Sequence, residues 1–379
     1  MIYLDHAATT PLAPEVREAM RPYFEGEFGN ASSRHPLGVS AARAVDEARE
    51  SVARCALVPA RNVVFTSGGT EAANLALLGL ARGARGRYVL VGATEHSCVR
   101  ECGAQLAREG FEVEAVPLAS DGAIDEDALA KKLRPDTALV AQMLVNNEFG
   151  TIYPIARIAS LVRARARGAK LVVDAVQALG KLDCALDELG ADALVVSAHK
   201  IHGPKGAGAA IFASEPDLRP ILHGGGQERG LRPGTENVAA IVGFGAAARI
   251  AESRRAAALE HLRGLRAKLV AELRELPGAR VLEPGAAQLP SIVAVMLPGA
   301  PAEVLMHHLE VRGVYVSTGS ACQALSKSLS PALAALGLSG DDVRRVLRFS
   351  MAATTTLDEV DRAARALREV SRELEQVST

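Results

Sequence analysis

Short runs of apolar residues alternate, along the first two thirds of the chain, with segments whose apolar residues recur every three or four positions. The short runs have the length of buried strands, and the longer spacing is typical of amphipathic helices. This alternation predicts an α/β fold, a mostly parallel seven-stranded sheet with helices on both faces. The predicted strands are residues 62–66, 87–91, 111–116, 137–142, 170–174, 193–197 and 207–212.

The pattern changes after about residue 243. A long helix rich in Ala and Leu is predicted over residues 244–276, and Pro277 ends it. A strand, a helix, a second strand and an amphipathic last helix are then expected at residues 290–297, 302–311, 345–351 and 357–374. The sequence therefore predicts a second, smaller α+β domain, with the boundary inside the long helix near residues 250–260.

Composition supports two domains and excludes several kinds of partner. The chain has 379 residues, and domains average roughly 150 residues. Hydrophobic residues make up 49% and aromatic residues 3%, so Ala, Leu and Val must form most of the core. Because the formal net charge is only −1, there is no general attraction to nucleic acid or anionic lipid. We expect neither a nucleic acid nor a membrane as partner.

The cysteine count and the chain start indicate a cytoplasmic protein. Five cysteines are few and odd in number for a disulfide scaffold, so reduced thiols are expected. The first residues lack the basic and apolar segments of a signal peptide. The sequence also has no apolar run of about 18 residues that could span a membrane.

Reactive residues follow several of the predicted strands, where ligands of parallel α/β sheets bind. The strand at 62–66 leads into residues 66–71 (TSGGTE) and then a helix. Two glycines and a hydroxyl at a helix start suit a phosphate, because free backbone N–H groups point outward there. The alternative is a plain helix cap by Thr70.

Asp174 and Lys200 each come at the end of a strand that is predicted to be buried. Taken alone, Asp174 could cap a helix, and Lys200 could extend to solvent. A buried lysine is also a candidate for Schiff-base chemistry. A lysine for an aldehyde, an acid for a pyridinium nitrogen and a phosphate cradle together indicate pyridoxal phosphate. The combination is more specific than any of its parts.

Three further residues are candidates for a catalytic or binding role. His96 follows a strand, and stacking on a pyridine ring explains it better than a zinc site with Cys98 and Cys102. Cys322 lies among small residues, either as an incidental surface thiol or as a nucleophile on a loop. Arg348 interrupts an apolar strand, either to bind a carboxylate of a ligand or to form an internal salt bridge.

The chain closely resembles the cysteine desulfurases, in the branch of fold-type I, class V aminotransferase-like enzymes that serves iron–sulfur cluster assembly and nitrogen fixation. The resemblance runs nearly end to end. The matching motifs are residues 3–11 (YLDHAATTP), 29–33 (GNASS), 66–71 (TSGGTE), 94–96 (TEH), 145–150 (VNNEFG), 174–177 (DAVQ), 197–200 (SAHK), 203–206 (GPKG), 224–229 (GGGQER), 233–237 (PGTEN), 319–322 (GSAC) and 348–350 (RFS).

The resemblance implies a role for each matching residue. Lys200 would be the Schiff-base lysine, and Cys322 the nucleophile that carries a persulfide. His96 would stack on the cofactor ring and donate a proton. Asn147 and Arg348 would hold the substrate carboxylate. The other implied cofactor contacts are Asp174 at the ring nitrogen, Gln177 at the ring oxygen, Gly69, Thr70, Ser197 and His199 at the phosphate, Asn147 near the ring, and Thr235 from the second subunit of a homodimer.

The resemblance also implies the activity. The enzyme would convert L-cysteine to L-alanine, leaving sulfur on Cys322 for an acceptor protein such as an iron–sulfur scaffold. Residues 15–255 would form the large cofactor-binding domain, and residues 1–14 with 256–379 the small domain. A selenocysteine lyase and a non-catalytic scaffold are the alternatives. The stretch from Cys322 to Pro331 is about two residues longer than the family pattern, which bears on the acceptor.

Overall fold

The computed structural model describes residues 1–319 and 329–378. The first part of the chain forms β1 (Ile2–Tyr3), α1 (Pro14–Met20), α2 (Pro36–Arg54), β2 (Val63–Thr66), α3 (Gly69–Gly83), β3 (Tyr88–Gly92), α4 (Ser97–Arg108), β4 (Glu112–Val116), α5 (Glu126–Lys132), β5 (Thr137–Met143), α6 (Ile155–Arg165), β6 (Lys170–Asp174), α7 (Leu186–Leu189), β7 (Ala193–Ser197), β8 (Gly208–Phe212) and α8 (Val238–Arg274). The remainder forms β9 (Arg280–Leu282), β10 (Ile292–Met296), α9 (Ala302–Val311), β11 (Val314–Tyr315), β12 (Ser317–Thr318), α10 (Pro331–Ala335), α11 (Gly340–Arg344), β13 (Val346–Ser350) and α12 (Leu357–Ser378). Among these helices, none is both long and apolar enough to cross a bilayer.

The seven strands predicted for the first part of the chain form one sheet, in the order β2-β8-β7-β6-β5-β3-β4. Only β8 runs antiparallel to its neighbours within this sheet. The mostly parallel seven-stranded sheet is therefore confirmed, and the strand bounds agree with the prediction to within one residue. Since β2, β3, β5, β6 and β7 point the same way, their carboxyl ends share one edge of the sheet.

The central strands place apolar side chains on both faces of the sheet. On β6, Leu171 and Val173 contribute to one hydrophobic cluster, while Val172 contributes to another on the opposite face. Successive side chains of a strand point to opposite faces, so a strand covered on both sides must be apolar throughout. Buried residues of α2, α6 and the first part of α8 pack on one face, and those of α3 and α4 on the other.

A separate hydrophobic cluster lies beyond the middle of α8. Most buried residues of α8 up to Ala248 belong to the core of the central sheet, and those from Leu262 onward belong to the second cluster. This second cluster packs against the antiparallel sheet β12-β13-β10-β9 and includes Ile2 and Leu4 from the chain start. The distribution supports our proposal of a large domain over residues 15–255 and a small domain formed by residues 1–14 and 256–379.

The first ten residues run between the two clusters. The backbone N–H of Leu4 bonds to the carbonyl of Tyr315, and Asp5 forms a bridge with Ser350. Thr10 then donates both its backbone N–H and its hydroxyl to the carbonyl of His199. This segment therefore ties the end of β7 to the second cluster.

A buried ion pair fixes the segment that precedes α8. Arg49 on α2 makes two 2.7 Å bonds to the carboxylate of Glu228, which also accepts the backbone N–H of Phe65 on β2 at 2.9 Å. The exposed fractions of these two side chains are 11% for Arg49 and 3% for Glu228. A buried carboxylate left without its partner is costly, so the pair holds α2, β2 and residues 227–237 together.

Replacing Arg49 with Met tests this dependence. We expect Arg49→Met to lower the free energy of unfolding by about 3 to 5 kcal/mol, because Glu228 remains buried without a counter-charge. Arg43→Met is the matched control on the same helix, since Arg43 pairs with Glu47 in an exposed i,i+4 bridge. That variant should cost less than about 1 kcal/mol in urea unfolding. Equal losses in the two variants would contradict the interpretation.

Candidate active site

A cavity of about 310 Å³ opens at the carboxyl edge of the central sheet. Its lining brings together ten of the twelve site residues singled out in the sequence: Gly69, Thr70, His96, Asn147, Asp174, Gln177, Ser197, His199, Lys200 and Arg348. Thr235 lines a different cavity, and Cys322 lies outside the described residues. The strand ends therefore converge as the sequence predicted.

The start of α3 forms one wall of this cavity. No side chain caps this helix, and the cap residue Gly68 has φ 156° and ψ −178°, a conformation that favours glycine. The alternative of a cap by Thr70 is therefore wrong, because Thr70 lies inside the first turn and is exposed. An uncapped helix start beside a cavity presents backbone N–H groups that suit a phosphate. Ser197 and His199, at the end of β7, line the same wall.

Asp174 supplies a buried carboxylate at the end of β6. Its residue is 8% exposed, and one oxygen accepts the backbone N–H of Val176 at 2.9 Å. It does not cap a helix, so that alternative is wrong as well. Burial raises the pKa of Asp174, while this hydrogen bond and the nearby His96 and Lys200 act in the opposite direction. A cationic group in the cavity would stabilise the carboxylate further.

Lys200 is turned inward and does not extend to solvent. Its amine donates to the backbone carbonyls of Ala7 at 2.6 Å and Ala8 at 2.7 Å. The side-chain amide of Gln177 donates to the same carbonyl of Ala7 at 2.9 Å. The chain start thus orients both side chains, and sequence motifs alone did not show that these carbonyls take part.

His96 is both a cavity residue and the cap of α4. Its Nδ1 accepts the backbone N–H of Cys98 at 3.2 Å, and the Cys98 thiol lies 3.1 Å from the same atom. Burial lowers the pKa of His96, which favours the neutral ring. A neutral ring that accepts at Nδ1 carries its proton on Nε2, so it can donate from that atom. Within residues 1–319 and 329–378, no group of three His, Cys, Asp or Glu residues could hold a metal.

Arg348 forms an internal salt bridge, one of the two alternatives that the sequence allowed, and it also lines the cavity. One terminal nitrogen lies 2.6 Å from Asp5, and the other donates to the backbone carbonyl of Asn147 at 2.9 Å. The side chain is only 3% exposed. These partners fix the plane of the guanidinium before any ligand arrives. Asp5 lies in the motif at residues 3–11, which was the available signal for this partner.

Glu148 is a further acid that the sequence reasoning missed, although it lies in the motif at residues 145–150. It accepts the Ser330 hydroxyl at 2.6 Å. Burial raises the pKa of Glu148 to about 7, although the Ser330 bond, Arg348 and Arg100 lower it. This contact joins the loop that follows β5 to the cap of α10, since Ser330 also accepts the N–H of Leu333.

Comparison with known proteins identifies the family. The profile of class-V aminotransferases matches residues 2–363. The chain belongs to the class-V aminotransferase family. Within that family, the chain is 37% identical over 380 residues to cysteine desulfurase IscS of Dictyoglomus turgidum, covering 100% of this chain and 96% of that protein. The family predicted from the sequence is thereby confirmed.

Two solved structures superpose closely on this chain. A NifS-like protein matches with a TM-score of 0.92 at 35% identity, covering 98% of this chain and 100% of that one. The structure of SspA in complex with cysteine matches with a TM-score of 0.80 at 32% identity, covering 94% of this chain and 100% of that one. The fold class expected from the sequence is therefore confirmed.

Pyridoxal 5′-phosphate is the cofactor of this class-V enzyme. The side chains in the cavity fit it. Lys200 offers an amine for the aldehyde, and the buried Asp174 offers the negative charge that a protonated ring nitrogen requires. The uncapped start of α3 offers N–H groups to the phosphate. We propose that Gln177 contacts the ring oxygen, His96 stacks on the ring, and Ser197 and His199 contact the phosphate.

The raised pKa of Glu148 predicts a pH dependence of stability. Because the folded state holds this proton more tightly than the unfolded chain, the contribution of Glu148 is present below about pH 4 and is lost as pH rises through about 7. From pH 5 to pH 8, wild type should lose about 2 kcal/mol more unfolding free energy than Glu148→Gln. Urea unfolding at both pH values measures the difference.

Glu101→Gln is the control for this experiment, because Glu101 is an exposed residue on α4. It should show the same pH dependence as wild type. If Glu148→Gln also follows the wild-type curve, the raised pKa of Glu148 is refuted.

Proposed function

We propose that this enzyme is a cysteine desulfurase, which converts L-cysteine to L-alanine and retains the sulfur on Cys322. The observation that carries the proposal is the inward-turned amine of Lys200 in the same cavity as the buried Asp174, within a class-V fold. The similarity to cysteine desulfurases along the whole chain supports the same activity. A plain aminotransferase would have no use for the thiol of Cys322.

Arg348 and Asn147 are proposed to hold the carboxylate of the substrate. Both residues line the cavity, and the Arg348 guanidinium is held in place by Asp5 and by the Asn147 carbonyl. A pre-oriented guanidinium loses little conformational freedom when it pairs with a carboxylate. The substrate would therefore lie between Arg348 and Lys200.

Lys200 and His96 are the proposed proton carriers. When bound, pyridoxal phosphate supplies an electron sink for the bonds at the substrate α-carbon. The Lys200 amine accepts the α-proton, and the carbonyls of Ala7 and Ala8 keep it directed into the cavity. His96 can donate a proton from Nε2, since its Nδ1 is occupied by the Cys98 N–H.

Sulfur transfer requires the Cys322 thiolate. We propose that it attacks the substrate sulfur, so that a new S–S bond forms and the carbon–sulfur bond breaks. The electron pair of the broken bond stays with the three-carbon fragment, which takes up protons and leaves as alanine. The sulfur of Cys322 is thereby oxidised to a persulfide, and an acceptor protein with a reduced thiol or an iron–sulfur scaffold would receive it.

Replacement of Cys322 tests this function directly. Purified holoenzyme should release alanine and sulfide from L-cysteine in equal amounts when excess reductant is present. Cys322→Ala should lower both products to background while retaining the cofactor absorbance, because no residue remains to accept the sulfur. The matched control is Cys184→Ala, since Cys184 is buried and is not a residue of the cavity lining. Sulfide release by Cys322→Ala would refute the persulfide role.

We also propose that the enzyme is a homodimer with shared active sites. Thr235 does not line the cofactor cavity of its own chain but a second cavity with Arg232 and Glu228. Phe24 and Phe28 are 70% and 74% exposed, so they offer apolar surface that a second copy could bury. A second copy that covers such surface would allow Thr235 to reach the phosphate of its neighbour.

Subunit mixing tests whether Thr235 acts across the interface. Thr235→Ala should weaken cofactor binding by about tenfold, the value of one hydrogen bond to a charged group. Lys200→Ala should be inactive. If Thr235 acts in the partner, a mixed dimer of the two variants contains one intact site and recovers activity at low cofactor concentration. No recovery in dimers verified by mass would contradict shared sites.

A cytoplasmic location is proposed from the sulfur chemistry. The described cysteines Cys55, Cys98, Cys102 and Cys184 are free thiols. A persulfide and its acceptor thiol also require a reducing compartment.

A further inference from the structure

Glu95 lies directly before His96 and is almost fully buried, with 1% of its surface exposed. One oxygen, Oε1, accepts the backbone N–H of Met143. The ladder between β3 and β5 ends at Val91 and Ala141, so Met143 extends past the end of β3. The Glu95 carboxyl group therefore takes the place of the missing strand at this position.

The second oxygen of Glu95 lacks a hydrogen-bond donor among the described residues, and so does a nearby amide oxygen. Within the described part of the chain, Glu95 Oε2 and Gln142 Oε1 are both buried and have no hydrogen-bond donor. The two side chains meet at Gly92, where an added methyl group would lie 2.6 Å from Glu95 Oε1 and 2.7 Å from Gln142 Oε1. The Glu95 carboxyl group and the Gln142 amide oxygen thus surround the same glycine, and a proton on Glu95 would provide a hydrogen-bond donor there.

A 180° rotation of the Gln142 amide does not give every oxygen at this position a donor. In the observed orientation, its Nε2 faces the backbone carbonyl of Met143 at 3.4 Å. A flipped amide would direct Nε2 toward Glu95 but would place its oxygen against that carbonyl. A proton on Glu95 instead provides the missing donor while the Gln142 amide keeps its observed orientation, since a protonated carboxyl group can donate.

The charges around Glu95 favour the same state. It faces Asp174 on β6, Cys98 and Arg100 on α4, and the Tyr153 hydroxyl. Burial and the charge of Asp174 raise the pKa of Glu95 well above its ordinary value, although the Met143 N–H and Arg100 lower it. Arg100 donates to the backbone carbonyl of Glu95 at 3.0 Å.

We propose that Glu95 is a neutral carboxylic acid, which donates its proton to Gln142 and is a positioning residue for His96. Its two hydrogen bonds tie the turn before α4 to β5. Asn146 and Tyr153 support the same turn, through the carbonyl and the hydroxyl of Thr94. Because Glu95 is neutral, Asp174 remains the negative charge on this wall of the cavity. The role toward His96 rests on the proposed function, whereas the protonation state does not.

Infrared spectroscopy of the holoenzyme tests the protonation state. The measurement is made in the Glu148→Gln background, because Glu148, with a pKa of about 7, would itself contribute a protonated carboxyl band at neutral pH. At neutral pH this protein should show the C=O stretch of a protonated carboxyl group, and the band should shift when glutamate is labelled with ¹³C. Glu95→Gln should remove this band. Glu101→Gln, an exposed change on α4, should retain it. In the Glu148→Gln background, a spectrum without the ¹³C-sensitive band at neutral pH, or such a band that persists when Glu95→Gln is added, would overturn the proposal.

The positioning role is tested by a pair of variants. Glu95→Gln mimics the neutral acid, since its amide can accept from Met143 and donate to Gln142. It should fold and should keep the pH midpoint of the cofactor absorbance within about 0.3 units of wild type. Glu95→Met lacks both hydrogen bonds and should lower thermal stability and alter the cofactor spectrum. If Glu95 were ionised beside Asp174, Glu95→Gln would shift that midpoint by about one unit or more, and the proposal would fail.

These readouts separate the two proposals. Absence of sulfide release from wild type would refute the desulfurase activity, while the infrared band of Glu95 would be unaffected. Conversely, an active enzyme without that band would refute only the neutral state of Glu95.

Discussion

The carboxylate of Asp174, buried at the end of β6, sets the conditions for the rest of the site. Burial disfavours its charge, and the one hydrogen bond from Val176 offsets only part of that cost. A stable anion at this position needs positive charge nearby. Lys200 supplies part of that charge, and the protonated ring nitrogen of the cofactor would supply more if it lies beside Asp174, as we propose. A second negative charge close by would destabilise the Asp174 carboxylate again. This explains why the neighbouring Glu95 is better held as a neutral acid.

The segment over residues 5–10 connects this charge arrangement to the rest of the fold. Asp5 pairs with Arg348, the carbonyl of Ala7 accepts from both Lys200 and Gln177, and Thr10 donates to the carbonyl of His199. The same segment follows Leu4, which is fully buried in the second hydrophobic cluster. The orientation of Lys200 and of Arg348, the proposed substrate-binding residue, therefore depends on how the chain start packs between the two clusters.

Sequence alone identified the parts of the site that lie at strand ends. Asp174 and Lys200 follow apolar runs, and because parallel strands end at a common edge, that pattern is enough to place both residues there. Contacts across long separations have no such signature. Asp5 and Arg348 are 343 positions apart, and Glu148 and Ser330 are 182 apart, so no local periodicity links them. Glu95 was missed because its importance depends on where β3 ends relative to β5.

The charge distribution in the cavity explains what it can recognise. Burial lowers the pKa of His199 to about 4 and also lowers that of His96, so both rings offer hydrogen bonds without adding charge. Positive potential is then concentrated at the start of α3, at Lys200 and at Arg348. These positions suit a phosphate, an aldehyde and a carboxylate respectively. In the function we propose, these groups hold the phosphate, the α-carbon and the carboxylate, and the selection of a sulfur atom falls to the proposed nucleophile Cys322.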